Sequence, residues 1–333
     1  MTNPFELTAF EARKLIGQKK LGSLELVKSC LSRIKKINHK VNAIVALDEF
    51  EAIKQAKEAD RKTLSGEALN LLHGIPVGIK DLNMVRNLRS TSGSLLNKDH
   101  IPKDDDEIVK KIRNEGGIIF CKTNTPEYGT GGNTTNKVYG TTKNPFDFKK
   151  SAAGSSGGSA VALSCDMLTM ANGSDYGGSL RTPASFCAVT GYRPSPGIVP
   201  AVNSSVSLNP FSVQGPMGKN VKDTFLLLQA QTEINNNDPF SSLNSFSLLD
   251  SLLETDLSSI KMAYSSDLGC APVDKDIEKA FFKKIKTLKS SFKTAINDHP
   301  DFMDIHNCFE VIRGFNYVST HIEKFKNDKK FLG

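Results

Sequence analysis

The sequence lacks both a long apolar run and a pair of cysteines at C-x-x-C spacing. None of its apolar runs approaches the ~18 residues that a membrane-spanning helix needs. The N-terminal residues, MTNPFELTAFEARKL, contain no apolar core of a signal peptide. The six cysteines stand far apart among mostly apolar neighbours, which predicts buried free thiols in a reducing compartment. We therefore expect a cytoplasmic protein that has no membrane partner.

The chain also lacks a concentrated basic patch, although its formal net charge is +7. The lysines are scattered, and those between residues 279 and 289 have the spacing of a solvated helix face. Nucleic acid is therefore not an expected partner. A hydrophobic content of 38% is typical of a globular protein with a substantial core, and 333 residues could form one large domain or two ordinary ones.

Strand-like apolar runs alternate with helix-like segments in the first part of the chain, and again after residue 259. The runs typical of strands are 41–47, 75–79, 117–121 and 260–264. The segments typical of helices are one that Ser23 can cap, 49–62, 105–117 and 274–288. This alternation predicts an α/β fold, a layered domain with a central mixed, largely parallel sheet covered by helices. Residues 231–258 are predicted to be a polar surface excursion, and no final element is evident at the end of the chain.

Glycine, serine, threonine, asparagine and proline dominate residues 123–219. Such a segment is either a flexible linker or a set of loops shaped around a ligand. Short apolar pieces at 160–163, 167–171 and 184–189 interrupt it and disfavour disorder. We therefore expect loops around a site.

Within this segment, glycine-serine turns enter apolar stretches at 153–163 and 171–186. A phosphate-binding loop would require a Lys after Gly158, and a dinucleotide site would require G-x-G-x-x-G at an early strand-helix turn, so neither fits. Gly177-Gly178-Ser179 is better explained as a nucleophile turn, because the two glycines let backbone N–H groups converge where an oxyanion would form.

A nucleophilic serine needs a base, and no histidine lies in or beside the glycine-serine segment. His73 is the one histidine near a motif, HGIPVGIKD, and a structural role is the better interpretation for it. Lysine is the alternative base, but it must be uncharged to accept a proton, which requires desolvation or cationic neighbours. Lys80 follows the apolar run 75–79, where a strand end could carry it into a buried site, although a lysine in such a place is more often on the surface.

Four blocks, HGIPVGIKD, KTNTPEYG, AGSSGGSA and NGSDYGGSLRTPASF, resemble the amidase signature family and occur in that family's order. The resemblance extends over essentially the whole chain, and its glycine-serine signature is highly specific. It implies a single amidase signature domain over residues 1–333 and a Ser-Ser-Lys triad. By this resemblance Ser179 would be the nucleophile, Ser155 would bridge nucleophile and base, and Lys80 would be the general base.

The resemblance implies further roles in the same region. The Gly154–Ser155 peptide would be cis, Asp175 and Arg181 would brace the nucleophile loop, and Gly129 with Ser155 would line the substrate pocket. The oxyanion hole would consist of backbone N–H groups from Tyr176, Gly177, Gly178 and Ser179. For Ser156 a functional role and a purely structural role both stay open, since a loop hydroxyl often only satisfies backbone groups.

The implied reaction is cleavage of a small-molecule carboxylic amide through an acyl-serine intermediate, without a metal or organic cofactor. GSDYGGSLR followed by GYRPSPGIVP resembles stand-alone bacterial amidases more than the A-type chain of the glutamyl-tRNA amidotransferase, which usually has threonine before the two glycines. An amidotransferase chain of that type, which releases ammonia from glutamine with its partner subunits and charged tRNA, is the alternative. A cytoplasmic amidase is the favoured hypothesis.

Members of this family usually run well beyond 333 residues, and their C-terminal part supplies further strands and part of the pocket wall. We therefore expect the domain to be C-terminally incomplete, through truncation or because the gene is split. A truncated chain could be inactive, or it could depend on a separate C-terminal partner chain. A homodimer is a further partner hypothesis.

Overall fold

A computed structural model describes residues 3–202, 208–241 and 255–332. The chain divides into two units, one comprising Met1–Phe246 with Lys324–Gly333 and the other comprising Ser247–Glu323. Residues 242–254, which belong to the predicted surface excursion at 231–258, lie outside the described residues. Within the described ranges, no helix is long and apolar enough to cross a membrane.

The described α-helices include the four that periodicity predicts and five more. In chain order they are α1 (Ala9–Gly17), α2 (Ser23–Val41), α3 (Glu49–Ser65), α4 (Glu107–Asn114), α5 (Gly157–Ser164), α6 (Arg181–Phe186), α7 (Val221–Gln231), α8 (Lys275–Leu288) and α9 (Ile305–Asp328).

The described strands are short. They are β1 (Ile44–Leu47), β2 (Pro76–Lys80), β3 (Ile118–Thr123), β4 (Thr135–Asn136), β5 (Gly140–Thr141), β6 (Met170–Asp175), β7 (Thr190–Gly191), β8 (Val213–Gly218), β9 (Lys261–Tyr264) and β10 (Thr294–Asn297). Four of them, β1, β2, β3 and β9, end close to the positions that the sequence predicts.

The central feature of the first unit is a six-stranded mixed sheet in the order β1-β3-β2-β6-β8-β7. β2 runs parallel to both β3 and β6, and the other pairings are antiparallel. The α/β fold class and the mixed sheet are confirmed, but the expectation of largely parallel pairing is not, because two of the five strand pairings are parallel and both lie at the centre of the sheet. Every residue of β2 and β3 is buried, as is typical of parallel strands covered on both faces.

Helix α5 directly follows the glycine-serine loop that contains Ser155 and Ser156. All of its residues from Gly157 to Leu163 are buried, and its alanines, Val161 and Leu163 belong to the main hydrophobic core with Phe120 and Met217. A helix that is apolar on every side is stable only inside the core. The segment 123–219 is therefore not all loop, because α5, β6 and β8 anchor the turns between them.

The sequence-based expectation is wrong at the cap of α2, at the start of β1 and at the end of the chain. Gly22, not Ser23, occupies the cap position of α2, and the Asp60 carboxylate accepts the N–H groups of Ser23 (2.6 Å) and Leu24 (3.1 Å) instead. Because α2 continues to Val41, the first strand starts at Ile44. The expectation of no final element is wrong, since α9 extends to Asp328.

The second unit contains a two-stranded parallel sheet of β9 and β10, joined by α8. A parallel pair requires such a crossover connection. Asp274 caps α8 by accepting the N–H of Asp276, so the predicted helix is confirmed at its start. None of the described residues from 255 to 332 is buried.

The thiol prediction is confirmed for four of the six cysteines. Cys30, Cys121, Cys165 and Cys187 are free and buried, and burial raises the pKa of the Cys30 thiol to about 12. Cys308 is exposed and Cys270 is partly exposed, because both lie outside the main core.

Gly158 supplies a test of how tightly α5 is packed. A Cβ at this position would lie 2.2 Å from the backbone nitrogen of Asn124 and 2.6 Å from its carbonyl oxygen. We predict that Gly158→Ala lowers the free energy of unfolding by roughly 1–3 kcal/mol, because the backbone would have to shift.

Gly132 is the matched control, since a Cβ there would meet nothing within 4 Å. Gly132→Ala should change the free energy of unfolding by less than about 0.5 kcal/mol. Urea unfolding followed by circular dichroism measures both variants, and equal stabilities would contradict the close packing of α5.

Candidate active site

Lys80 is the last residue of β2, and its side chain is fully buried. Its amine nitrogen lies within hydrogen-bonding distance of three serine hydroxyl oxygens: Ser155 at 2.7 Å, Ser156 at 2.9 Å and Ser174 at 2.9 Å. Hydroxyl groups are neutral, so they bind the amine without supplying the negative charge that a buried ammonium needs. The environment therefore favours an uncharged amine.

Burial is the main cause of the low pKa of Lys80, which falls from 10.5 to about 7. The negative charge of Asp175 acts in the opposite direction and limits the fall. A large fraction of Lys80 is thus neutral at neutral pH. This is the protonation state that a general base requires.

The backbone around Lys80 is fixed by polar side chains of neighbouring strands. The N–H of Lys80 donates to Asn172 Oδ1 at 2.7 Å, and Asn172 Nδ2 donates to Asn83 Oδ1 at 2.9 Å. Directly after Lys80, Asp81 forms a fully buried ion pair with Lys122, at 3.1 Å. These contacts fix the carboxyl end of β2, and they therefore fix the backbone position of Lys80.

Ser155 and Ser156 lie immediately before α5, and both are buried. The Gly154–Ser155 peptide bond is cis, as the resemblance implied. Ser156 is more than a loop hydroxyl, because it contacts the Lys80 amine, accepts the N–H of Ser174 at 3.3 Å and donates to the Ser174 carbonyl at 3.3 Å.

Ser179 follows β6 in a turn and is partly exposed. The N–H of Ser156 donates to the Ser179 carbonyl at 3.2 Å, which ties the two serine loops together. Among the described residues, no hydrogen bond joins the hydroxyls of Ser155 and Ser179. The structure thus brings Lys80 and Ser155 into contact. Ser179 lies on a neighbouring loop that is hydrogen-bonded to Ser156.

Asp175 ends β6 and organises the turn that carries Ser179. Both of its carboxylate oxygens bind Arg181, at 3.0 and 3.1 Å, and Arg193 binds Oδ1 at 3.3 Å. Burial would raise the pKa of Asp175, but hydrogen bonds from Arg181 and from the N–H groups of Gly178 and Leu180 hold this pKa below its ordinary value. The carboxylate therefore stays charged and braces the loop.

One member of the expected oxyanion hole needs correction. The N–H of Gly178 donates to Asp175 Oδ1 at 2.7 Å, so the carboxylate already occupies this donor. The N–H groups of Gly177 and Ser179 have no acceptor among the described residues. These two N–H groups are available to a ligand. The role of the Tyr176 N–H in an oxyanion hole stays a prediction.

Gly129 lies close to Ser155, and its expected place in the substrate pocket stays a prediction. It has a φ of +71°, and a Cβ there would lie 3.5 Å from Ser155 Oγ and 2.7 Å from Cδ1 of Leu82. Any side chain at this position would intrude on Leu82 and on the space beside Ser155.

Three residues of the site were not predicted from the sequence: Ser174, Asn172 and Arg193. Ser174 and Asn172 lie within the NGSD block, where strand pairing alone decides which side chains reach Lys80. His73 is structural, as expected, because its ring nitrogen Nε2 lies 2.9 Å from Thr63 Oγ1 and 3.0 Å from the Ala59 carbonyl of α3.

The family model described as Amidase matches residues 25–327 of the chain. The chain belongs to the amidase signature family. The A-type chain of the glutamyl-tRNA(Gln) amidotransferase of Clostridium botulinum is 34% identical to it over 286 residues, which are 86% of this chain and 59% of the relative. The chain thus spans less than two thirds of that relative's length.

Solved structures show the same fold. A bacterial aryl acylamidase of the amidase signature family superposes with a TM-score of 0.83 at 28% identity, over 89% of the chain and 61% of the acylamidase. Fatty acid amide hydrolase superposes with a TM-score of 0.79 at 26% identity, over 89% of the chain and 53% of the hydrolase.

The low pKa of Lys80 leads to a prediction for stability. Between pH 7 and 10.5 the unfolded chain binds a proton at Lys80 that the folded chain does not, so stability should rise with pH in this window. The expected slope is about 1.4 kcal/mol per pH unit near the middle of the window.

Lys80→Met removes this contribution, while the buried Lys122, whose pKa is also lowered by burial, stays in both proteins. Urea unfolding at several pH values measures the difference between the two free energies. Wild-type and variant curves that run parallel from pH 7 to 10.5 would contradict a neutral buried amine.

Proposed function

We propose that this chain cleaves a carboxylic amide through a covalent acyl-serine intermediate, with Ser179 as nucleophile, Ser155 as proton bridge and Lys80 as general base. The observation that carries the proposal is the contact of 2.7 Å between a fully buried lysine amine and Ser155. Membership of the amidase family supports the same chemistry.

The hydrogen-bond arrangement supports a defined direction of proton transfer. A neutral lysine amine has two N–H donors and one lone pair. Ser156 directs its own hydrogen to the Ser174 carbonyl and so accepts from Lys80. If Ser174 accepts the second N–H, the lone pair of Lys80 faces the Ser155 hydroxyl.

The reaction then balances without a cofactor. Ser179 Oγ bonds to the amide carbonyl carbon, its proton passes to Ser155, and the Ser155 proton passes to Lys80. When the C–N bond breaks, the same groups return the proton to the leaving nitrogen. Water next attacks the acyl ester and passes a proton through Ser155 to Lys80. When the ester C–O bond breaks, the same groups return this proton to Ser179 Oγ, and the acid is released.

Backbone donors at the serine turn supply the electrostatic part of the proposal. The open N–H groups of Gly177 and Ser179 would bind the oxyanion of the tetrahedral intermediate, while Asp175 keeps the turn in shape. One such donor is typically worth ~10²–10³ in rate.

Replacement of Ser179 tests the nucleophile. Ser179→Ala should abolish covalent labelling by a serine-directed phosphonate, measured by intact mass spectrometry, because Ser179 is the one serine among residues 175–184. Ser185→Ala is the control, since Ser185 is an exposed serine on the adjacent helix α6. Labelling that persists in Ser179→Ala would refute the assignment.

The pH dependence of kcat/KM tests the base. Activity should rise with pH as Lys80 loses its proton, with a midpoint near the pKa of about 7. Ser174→Ala removes one acceptor from the amine, which disfavours the charged form further and should move this midpoint to lower pH. It should also reduce the plateau by roughly tenfold, because the lone pair is less well oriented. A midpoint and plateau equal to those of wild type would contradict the role of Ser174.

Release of ammonia from glutamine for a tRNA-linked reaction is the second candidate function. It is favoured by the 34% identity to the A-type chain of the Clostridium botulinum amidotransferase. The two functions differ in what they need: a stand-alone amidase releases ammonia or amine from simple amides by itself. Ammonia release that requires partner subunits and charged tRNA would favour the second candidate.

A further inference from the structure

Asn172, on β6, binds the backbone of the general base just beyond the regular pairing of two parallel strands. β2 and β6 pair in register at Gly78 and Ala171. Two residues beyond Gly78, the N–H of Lys80 donates at 2.7 Å to the side-chain oxygen of Asn172. A side chain, and not a backbone carbonyl, therefore accepts the N–H of the residue whose amine the proposed reaction needs.

The side-chain amide of Asn172 belongs to a chain of hydrogen bonds that runs in one direction. Its Nδ2 donates to Asn83 Oδ1 at 2.9 Å, and Asn83 Nδ2 donates to Asp106 Oδ2 at 3.3 Å. A carboxylate only accepts and a backbone N–H only donates, so the two ends of the chain fix the orientation of both amides. The oxygen of Asn172 is therefore held toward Lys80.

The two asparagines also form a closed ring with the general base. The N–H of Asn83 donates to the Lys80 carbonyl at 3.0 Å, so both backbone polar groups of Lys80 are bound within the ring. Asn172, Asn83 and Lys80 are all buried. Loss of the Asn172 side chain would deprive a buried N–H of this acceptor, which is costly inside a protein.

Strand β6 also binds the segment that follows the bridging serine. The carbonyl of Asn172 accepts the hydroxyl of Ser159, in α5, at 2.9 Å. Two residues along the strand, the N–H and the carbonyl of Ser174 both bond to Ser156 Oγ, at 3.3 Å, and Ser174 Oγ lies 2.9 Å from the Lys80 amine. The strand thus contacts the base at its backbone and at its amine, and it also contacts the start of α5.

We propose that Asn172 is a positioning residue for the general base, and that it sets the distance between the lysine amine and Ser155 through the Lys80 backbone. The inference rests on the proposed amide hydrolysis, since Asn172 acts through Lys80. The amine lies 2.7 Å from Ser155 Oγ, and the fully buried lysine has little freedom to compensate for a backbone shift. Misplacement of a catalytic group by about 1 Å can cost ~10²-fold in rate.

Asn172→Leu tests the role, because it removes both amide groups and keeps a similar size. Butyramide is the probe, and kcat and KM are measured at the high-pH plateau, where Lys80 is uncharged. We expect kcat to fall about tenfold or more and KM to stay within about threefold of wild type, because the base is displaced and the substrate pocket is not. A kcat within about twofold of wild type, or a loss confined to KM, would overturn the inference.

Asn172→Asp is the conservative variant, since it keeps an oxygen for the Lys80 N–H. An added carboxylate favours the charged amine, so its kcat is compared at its own high-pH plateau. It should recover most of the activity that Asn172→Leu loses, and equal losses in the two variants would contradict the role of the acceptor. If Asn172→Leu does not fold, Asn172→Ser replaces it with the same expected result, because the shorter side chain cannot reach the Lys80 N–H.

Asn38→Leu is the matched control. Asn38, on α2, also binds backbone groups at a strand end: its Oδ1 accepts the N–H groups of Ala43 at 3.0 Å and Ile44 at 2.9 Å, and its Nδ2 donates to the Ile44 carbonyl at 2.8 Å. The strand that it binds, β1, lies at the edge of the sheet. Asn38→Leu should lower the urea midpoint of unfolding and leave kcat within about twofold of wild type. An equal fall of kcat in Asn38→Leu and Asn172→Leu would attribute the loss to general destabilisation and refute a positioning role.

Phosphonate labelling separates this inference from the proposed function. The rate of Ser179 labelling should fall in Asn172→Leu by about the same factor as kcat, because the same base activates the serine. If Ser179 is labelled at the wild-type rate in Asn172→Leu, the positioning role fails and the proposed function stands. If Ser179 is not labelled in wild type and no amide is cleaved, the proposed function itself fails.

Discussion

The site depends on one physical constraint: a lysine amine is buried among hydroxyl groups and has no carboxylate in contact with it among the described residues. Desolvation disfavours the charged amine, and three serine oxygens replace the lost water without restoring the charge balance. Asp175 is the charged group that opposes this effect, but its own oxygens are bound by Arg181, Arg193 and two backbone N–H groups. The low pKa of Lys80 thus depends on the hydrogen bonds that hold Asp175 to other partners.

The elements that support Lys80 come from separate parts of the chain. Its strand is held by Asn172 of β6 on one side and pairs with β3 on the other, while Ser155 and Ser156 lie in the loop before α5. The close approach of Gly158 to Asn124 sets the distance between α5 and the end of β3. Precise contacts at the amine therefore rely on packing several residues away from it.

Much of the fold could be predicted from the sequence, because several of its strands and four of its helices have clear apolar periodicity. The buried helix α5 and the long helix α9 were not predicted, for opposite reasons. GGSAVALS is apolar on every side and gives no amphipathic signal, while α9 contains Gly314 and many β-branched and aromatic residues.

The residues of the candidate site that lie in recognisable short motifs could be predicted from the sequence. The residues that strand pairing brings to the site could not. The resemblance supplied Lys80, Ser155 and Ser179, whose roles stay proposals. The contact of Ser174 with Lys80 becomes visible only through the pairing of β6 with β2, which no local pattern encodes. The engagement of the Gly178 N–H by Asp175 is likewise a matter of turn geometry that residue types alone do not determine.

The second unit has a consequence for how the molecule opens. Its described residues form regular helices and a parallel strand pair, yet none of them is buried, whereas the first unit has an extensive core. Regions with few buried apolar contacts open at lower free energy than the core of the same protein. Backbone amides of β9 and β10 should therefore exchange with solvent deuterium well before those of β2 and β3, so that the six-stranded sheet keeps its structure while the second unit unfolds and refolds many times.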